Sequence, residues 1–162
     1  FVKEVEGTKT QILDTRKTTP LLRDLEKRAV QHGGGANHRF NLSEAILVKD
    51  NHISLMGGIT SAIKRIRQHT DLSIEVEASN LEQVKESVSL QVHRILLDNM
   101  SNEMMAEALK LIPSPIKTEA SGNMNLERVR AVAEIGVNYI SVGALTHSAP
   151  CADVSLIFHW ED

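Results

Sequence analysis

A single cysteine, Cys151, stands among the 162 residues, so no internal disulfide can form. Neither a paired-cysteine spacing nor a His-Glu-x-x-His spacing occurs, which excludes the common zinc sites. Such thiol usage fits a reducing compartment, and a cytoplasmic location is expected. No run of about 18 apolar residues is present and the amino end carries no signal-peptide pattern, so no membrane partner is expected. Excess charge is lacking as well: 18 basic against 21 acidic residues leave a net charge of −3. Nucleic acid is therefore not expected as a partner, and Lys64, Arg65 and Arg67 read as a solvated helix face.

What is present is an ordinary globular composition, 41% apolar, in a length that suits one domain with a real core. Phe1 to Val5 reads as the last turn of a helix already under way, so residues 1–9 are expected to end a preceding helix or linker. The chain reads as a piece of a longer one. Its organising stretch is Asp14-Thr15-Arg16-Lys17-Thr18-Thr19-Pro20, which follows a short apolar strand at Thr10–Leu13. Pro20 suits a first helical turn, and the pattern over Leu21–His32 predicts an amphipathic helix that Gly33-Gly34-Gly35 terminates. Arg16 and Lys17 thus stand where a strand hands over to a helix, a good place for an anion. A solvated basic turn has the same composition. The loop after the three glycines carries His38 and Arg39 beside a backbone that can approach a ligand closely.

Further strands are expected at Ala45–Val48, ending in Lys49, and at Leu72–Glu77, where Glu75 and Glu77 share one face. Repulsion between those carboxylates argues for a cation or a basic partner beside them, and a solvent-facing edge strand is the alternative. Val92–Leu97 leads to Asp98, Ile116–Ala120 to the small-residue turn Ser121-Gly122-Asn123, and Val137–Gly143 to a loop over Ala144–Ser148. Helices are predicted over Ile53–His69, Leu81–Val88, from Ser101 to the stop at Pro113, and Leu126–Ile135. Asp153–Phe158 is read as a possible closing strand, with a tail at 159–162.

Strands begin near residues 73, 94, 116 and 138, a repeat of consecutive right-handed βα units and so of a parallel sheet. The expected fold is α/β, a parallel βα barrel, open or incomplete, with six to seven strands across residues 10–158. Polar residues collect at one end of the strands. Basic residues of the first loops suit a carboxylated substrate, Glu77 and Asp98 suit magnesium, and the glycines of the last turns suit a phosphate.

Seven segments in order, DTRKTTP at 14–20, GGGANHR at 33–39, VKDNH at 48–52, EVE at 75–77, LDN at 97–99, EASG at 119–122 and ISVGALTHS at 140–148, make the chain resemble quinolinate phosphoribosyltransferase over nearly its whole length. The resemblance implies transfer of a phosphoribosyl group from phosphoribosyl pyrophosphate to quinolinate with decarboxylation, giving nicotinate mononucleotide, pyrophosphate and carbon dioxide for NAD synthesis. It implies Mg2+ as the metal and a homodimer or higher homo-oligomer. By the same resemblance Arg16, His38, Arg39 and Lys49 grip the two quinolinate carboxylates, Lys17 and Lys49 stand near the reacting centre, Glu77 and Asp98 serve the magnesium and the ribose hydroxyls, and Ser121, Gly122, Gly143 and His147 hold phosphate. Lys17, Lys49, Glu77 and Asp98 are the implied catalytic set.

Three departures stand out. Leu21 occupies a position where the family typically has glycine, and Asn123 stands where a second glycine is common. Members of the family also carry an amino-terminal α+β domain, which caps the partner's barrel in their dimers, and the barrel expected here lacks it. A non-catalytic barrel that keeps the ligand site is therefore the alternative function. A related transferase acting on another acid fits less well, because GGGANHR and four basic ligands suit two carboxylates.

Overall fold

Six strands form one parallel sheet in the computed structural model, which describes residues 1–160. They are β1 (Gln11–Leu13), β2 (Ile46–Val48), β3 (Ile74–Ala78), β4 (Arg94–Asp98), β5 (Lys117–Ser121) and β6 (Tyr139–Ser141). Their spatial order is β1-β6-β5-β4-β3-β2, so every neighbour of β3 to β6 is a parallel strand and β1 and β2 form the edges. Among the described residues β1 and β2 do not pair, and the barrel is open between them. Beyond β1, Ala36 adds one parallel bridge to Leu13, with Ala36 N donating to Ile12 O at 2.8 Å and Asp14 N to Ala36 O at 3.2 Å.

The strands are short aliphatic runs because both faces are covered. One phase of the alternation, including Ile12, Val48, Ile74, Val76, Ile95, Leu97, Ala120 and Ile140, packs outward against helical Ile59, Ile63, Val84, Met105, Val129 and Val132 in a single core. The other phase faces the barrel interior and is strongly polar. Register places Glu75 beside Arg94, Leu96 beside Glu119 and Glu119 beside Tyr139. The helices between the strands are α1 (Arg23–His32), α2 (Asp50–Met56), α3 (Ile59–Arg67), α4 (Leu81–Ser89), α5 (Asn102–Leu111), α6 (Leu126–Ile135) and α7 (Ala144–His147). Asn80, Ser101 and Asn125 cap α4, α5 and α6, each accepting a backbone N–H three residues on. None of the helices is long and apolar enough to cross a membrane.

Five expectations need correction. The first helix starts at Arg23 rather than at Pro20, because Thr19 to Leu22 close a turn with Leu22 N donating to Thr19 O at 3.0 Å. Leu21 there adopts a left-handed φ of 69° with its side chain fully exposed. The single helix expected over Ile53–His69 is two, α2 and α3, divided at Gly57 and Gly58, whose φ values of 73° and 133° a helix cannot continue through. The loop over Ala144–Ser148 contains the short helix α7. β3 is an interior strand, buried on both faces, so the edge-strand alternative for Glu75 and Glu77 does not hold.

The fifth correction concerns Asp153–Phe158. An apolar alternation becomes a strand only where a neighbouring edge takes its N–H and C=O groups, and among the described residues no strand pairs with this one. The segment is exposed chain without regular structure, and so are His159 and Trp160 of the expected tail. Glu161 and Asp162 of that tail lie outside the described residues.

Candidate active site at the carboxyl ends of the strands

A cavity of about 500 Å³ opens at the carboxyl end of the sheet. Eight of the eleven residues singled out in the sequence line it: Arg16, Lys17, His38, Arg39, Lys49, Glu77, Asp98 and Ser121. They come from the ends of β1 to β5 and from the loop after Gly35, because parallel strands deliver all their carboxyl ends to one side. Gly122, Gly143 and His147 stand at its rim instead of lining it. A Cβ on Gly122 would lie 2.1 Å from Asn99 Oδ1, so the glycine, at φ 101°, leaves room for the Asn99 side chain. A Cβ on Gly143 would meet His147 Nε2 at 2.9 Å and Lys17 Cδ at 3.6 Å, and Thr146 Oγ1 donates to Lys17 O at 2.7 Å. The last turn is thereby fastened to the first loop.

Two guanidinium groups dominate the basic wall. Arg39 Nη1 donates to Ala45 O at 2.7 Å, while the buried Arg16 Nε has no partner among the described residues. Burial and the neighbouring positive charge of Arg16 both lower the pKa of Arg39, partly offset by Glu75. A group with paired negative oxygens would relieve both effects. Lys49 Nζ is 2.6 Å from Glu77 Oε2, so the basic partner expected beside Glu77 is the residue at the end of the next strand. Asp98 accepts from Asn99 Nδ2 at 2.8 Å. Asn99 holds a left-handed φ of 53°, which an Asn tolerates, and its N–H donates to Ser121 O at 3.0 Å.

Glu75 has other partners. His38 Nε2 lies 3.0 Å from Glu75 Oε2 and 3.5 Å from Glu119 Oε2, and Arg94 Nη1 donates to Glu119 Oε2 at 2.7 Å while its guanidinium stacks 4.3 Å over the Tyr139 ring. Burial opposes a charged His38, but the hydrogen bonds and charges of Glu119 and Glu75 outweigh it and raise its pKa to about 9. The geometry sets a limit on that pull. His38 Nδ1 accepts the Arg39 N–H at 2.8 Å, and a proton on Nδ1 would have to displace that bond. Glu75 itself is raised, chiefly by burial. Glu119 is held low by His38 and Arg94 against the cost of its own burial.

As for metals, Glu77 and Asp98 offer only carboxylate oxygens in one cavity, which suits a hard divalent cation with water completing its shell. His38, Glu75 and Glu119 also bring ligand atoms within 4.8 Å of one another. Arg94 already supplies a positive charge to that second cluster, so it is read here as an ion-pair network.

Sequence reasoning missed Arg94, Glu119 and Lys27. The first two had a signal: β3, β4 and β5 carry Glu75, Arg94 and Glu119 in the strand phase opposite the aliphatic one, as an inward-facing polar layer requires. Lys27 had none, since its contacts are with Asp14 and the His38 carbonyl, which local pattern does not encode. Leu21 at φ 69° and Asn123 at φ 50° both hold the left-handed backbone that favours glycine.

An open parallel barrel with convergent guanidinium, ammonium and carboxylate groups at the carboxyl ends of its strands defines a βα-barrel protein with a charged cavity at that end. The family model described as the C-terminal domain of quinolinate phosphoribosyl transferase matches residues 1–157, and the chain belongs to that family. It is 47% identical over 161 residues to a probable nicotinate-nucleotide pyrophosphorylase [carboxylating] of Synechocystis, covering 96% of this chain and 55% of that protein. A probable enzyme of the same name from Bacillus subtilis is 46% identical over 157 residues, covering 96% and 54%. The crystal structure of nicotinate-nucleotide pyrophosphorylase from Ehrlichia chaffeensis superposes with a TM-score of 0.88 at 47% identity, over 91% of this chain and 53% of that one. The chain thus spans about half the length of these relatives.

Proposed function

We propose that this chain supplies the substrate-binding barrel of an enzyme that joins quinolinate to phosphoribosyl pyrophosphate and releases pyrophosphate and carbon dioxide, forming nicotinate mononucleotide for NAD synthesis. The observation that carries the reading is the pair of guanidinium groups, Arg16 and Arg39, in one cavity with a buried and unpartnered Arg16 Nε. A planar dicarboxylate satisfies both with forked hydrogen bonds. Lys49 completes the carboxylate grip, His38, with its ring nitrogens taken by Glu75 and the Arg39 N–H, steadies Arg39 beside it, and Leu47 and Leu96 give the pyridine ring apolar walls. Ser121 and the rim positions Gly122, Gly143 and His147 receive the phosphate.

Glu77 and Asp98 would hold Mg2+ together with the ribose hydroxyls, and the ion's contribution is to neutralise negative charge on the departing pyrophosphate. In the first step the pyridine nitrogen attacks the anomeric carbon while the C–O bond to pyrophosphate breaks and the electron pair leaves with it. In the second, the bond to the carboxylate beside the now cationic nitrogen breaks, carbon dioxide departs, and the electron pair left on the ring carbon takes a proton. Lys17 and Lys49 flank this centre as ammonium groups that stabilise the developing carbanion and can deliver that proton. The active form is a homodimer or higher homo-oligomer in the cytoplasm, where the exposed Cys151 remains a thiol.

A second reading is a barrel that binds these ligands but does not turn over by itself. Calorimetric titration with quinolinate, then with phosphoribosyl pyrophosphate and magnesium, combined with an assay for nicotinate mononucleotide, separates the two. Binding with product supports the enzyme. Binding without product supports the second reading, and absence of quinolinate binding overturns both.

A further inference from the structure

Lys27 is the one fully buried residue of α1, with 1% of its side chain exposed, and an ammonium is an expensive group to desolvate. Its Nζ donates to Asp14 Oδ1 at 2.6 Å and to His38 O at 2.9 Å. The same Asp14 Oδ1 accepts the His38 N–H at 2.8 Å. Asn37, with its amide oriented to donate, gives bonds of 2.9 Å to Asp14 Oδ2 and 3.0 Å to Lys27 O. Both backbone polar groups of His38 are therefore taken by one ion pair. Regular pairing to β1 stops at the Leu13–Ala36 bridge, and from the next residue on these side chains replace the ladder. Neither Asp14 nor Lys27 lines the cavity that His38 and Arg39 enter.

An apolar pair of similar volume would fill the space, but it would leave the His38 N–H and C=O without partners and would not orient a peptide group. We infer that Asp14 and Lys27 are positioning residues: by holding the His38 backbone from both sides they aim the His38 and Arg39 side chains into the cavity and so set the affinity for a dicarboxylate. This rests on the reading of the cavity as a quinolinate site. It assigns to the pair an effect on that substrate and none on the phosphoribosyl donor, whose proposed contacts at Ser121 and Gly143 include no hydrogen bond to Asp14, Lys27 or the His38 backbone.

The test is the double variant Asp14→Asn/Lys27→Met in the complete protein, which leaves no buried charge unpaired and keeps an acceptor for the His38 N–H. We expect the quinolinate Kd to rise about tenfold while that for phosphoribosyl pyrophosphate stays within about twofold. The His38 amide should exchange with solvent about tenfold faster, with the Ile95 amide unchanged. Val132→Ala, a core truncation in α6, serves as the control for lost stability alone and should leave both affinities in place. Unchanged quinolinate affinity, or parallel weakening of both substrates in the double variant and the control, overturns the inference. If the parent protein does not bind quinolinate, the functional reading fails, and the exchange rate of the His38 amide still decides whether the pair holds that backbone. Should the double variant not fold, Asn37→Ala, which removes one bond to Asp14 and leaves the ion pair whole, gives the same two readouts with smaller changes.

Discussion

Lys49 Nζ and Glu77 Oε2, at the carboxyl ends of the neighbouring strands β2 and β3, stand 2.6 Å apart. The pair joins a residue proposed to grip a carboxylate to one proposed to serve a cation. Its lysine is 48% exposed, so water screens the attraction and the pair adds little to folding. Lys49→Met should leave the unfolding free energy within about 1 kcal/mol of the parent. Quinolinate affinity, measured by calorimetry, should fall by about tenfold or more. Parallel loss of stability and affinity would make the lysine a structural residue instead.

Glu119 is different because it is fully buried, with Arg94 Nη1 at 2.7 Å. Glu119→Gln leaves that guanidinium with Glu75, 3.9 Å away, as its remaining carboxylate, and chemical denaturation should show a loss of about 2–3 kcal/mol. Adding Arg94→Met to the same chain should recover part of the loss. A double variant as unstable as the sum of the two single ones would show that the groups do not interact.

The His38 pKa, raised to about 9 from 6.5, predicts a pH dependence with a definite sign. A group held more basic in the folded state contributes stability that is fully present below its unfolded pKa and is lost as pH rises through the folded value. Unfolding free energy should therefore decline between pH 6.5 and about 9 in the parent, and less so in His38→Gln. Identical slopes for the two proteins across that window would mean that the Arg39 N–H keeps Nδ1 unprotonated throughout.

Gly122 and Gly143 differ in what a methyl group would strike. Gly122→Ala places a Cβ 2.1 Å from Asn99 Oδ1 and 3.0 Å from Asn99 N, at a backbone φ of 101°. It should cost about 1–3 kcal/mol of stability and abolish tight binding of the phosphoribosyl donor. Gly143→Ala meets only the movable end of His147, at 2.9 Å, and should weaken the donor's binding with a smaller stability loss. Thermal unfolding with donor titrations on both variants checks the order.

Leu21 holds φ 69° with its side chain in solvent, so the strain of a left-handed leucine is not repaid by packing. Leu21→Gly should raise stability by up to about 1 kcal/mol without altering either substrate affinity. A lower unfolding midpoint would show that the leucine side chain is covered in the assembled protein.

The βα repeat and the limits of α6, Leu126–Ile135, were legible because they rest on local periodicity: aliphatic runs for strands, apolar residues three and four apart for helices. Where glycine or partner availability decided, local pattern failed. Gly57 and Gly58 broke a helix whose apolar spacing continued across them, and Asp153–Phe158 alternates like a strand but joins neither edge of the sheet.

For the site, the sequence by itself determined which groups end the strands, because a parallel sheet sends every carboxyl end to the same side whatever the details of packing. Thus Arg16, Lys17, Lys49, Glu77, Asp98 and Ser121 share one cavity as their order implies. Which charge neutralises which was decided only in three dimensions. Glu77 took Lys49, Glu75 took His38, and Asp14 took Lys27 from the inner face of a helix. Those partners lie 13 to 37 residues apart: the parallel register of β2 and β3 sets Lys49 beside Glu77, the loop after Gly35 carries His38 to Glu75, and α1 carries Lys27 to Asp14.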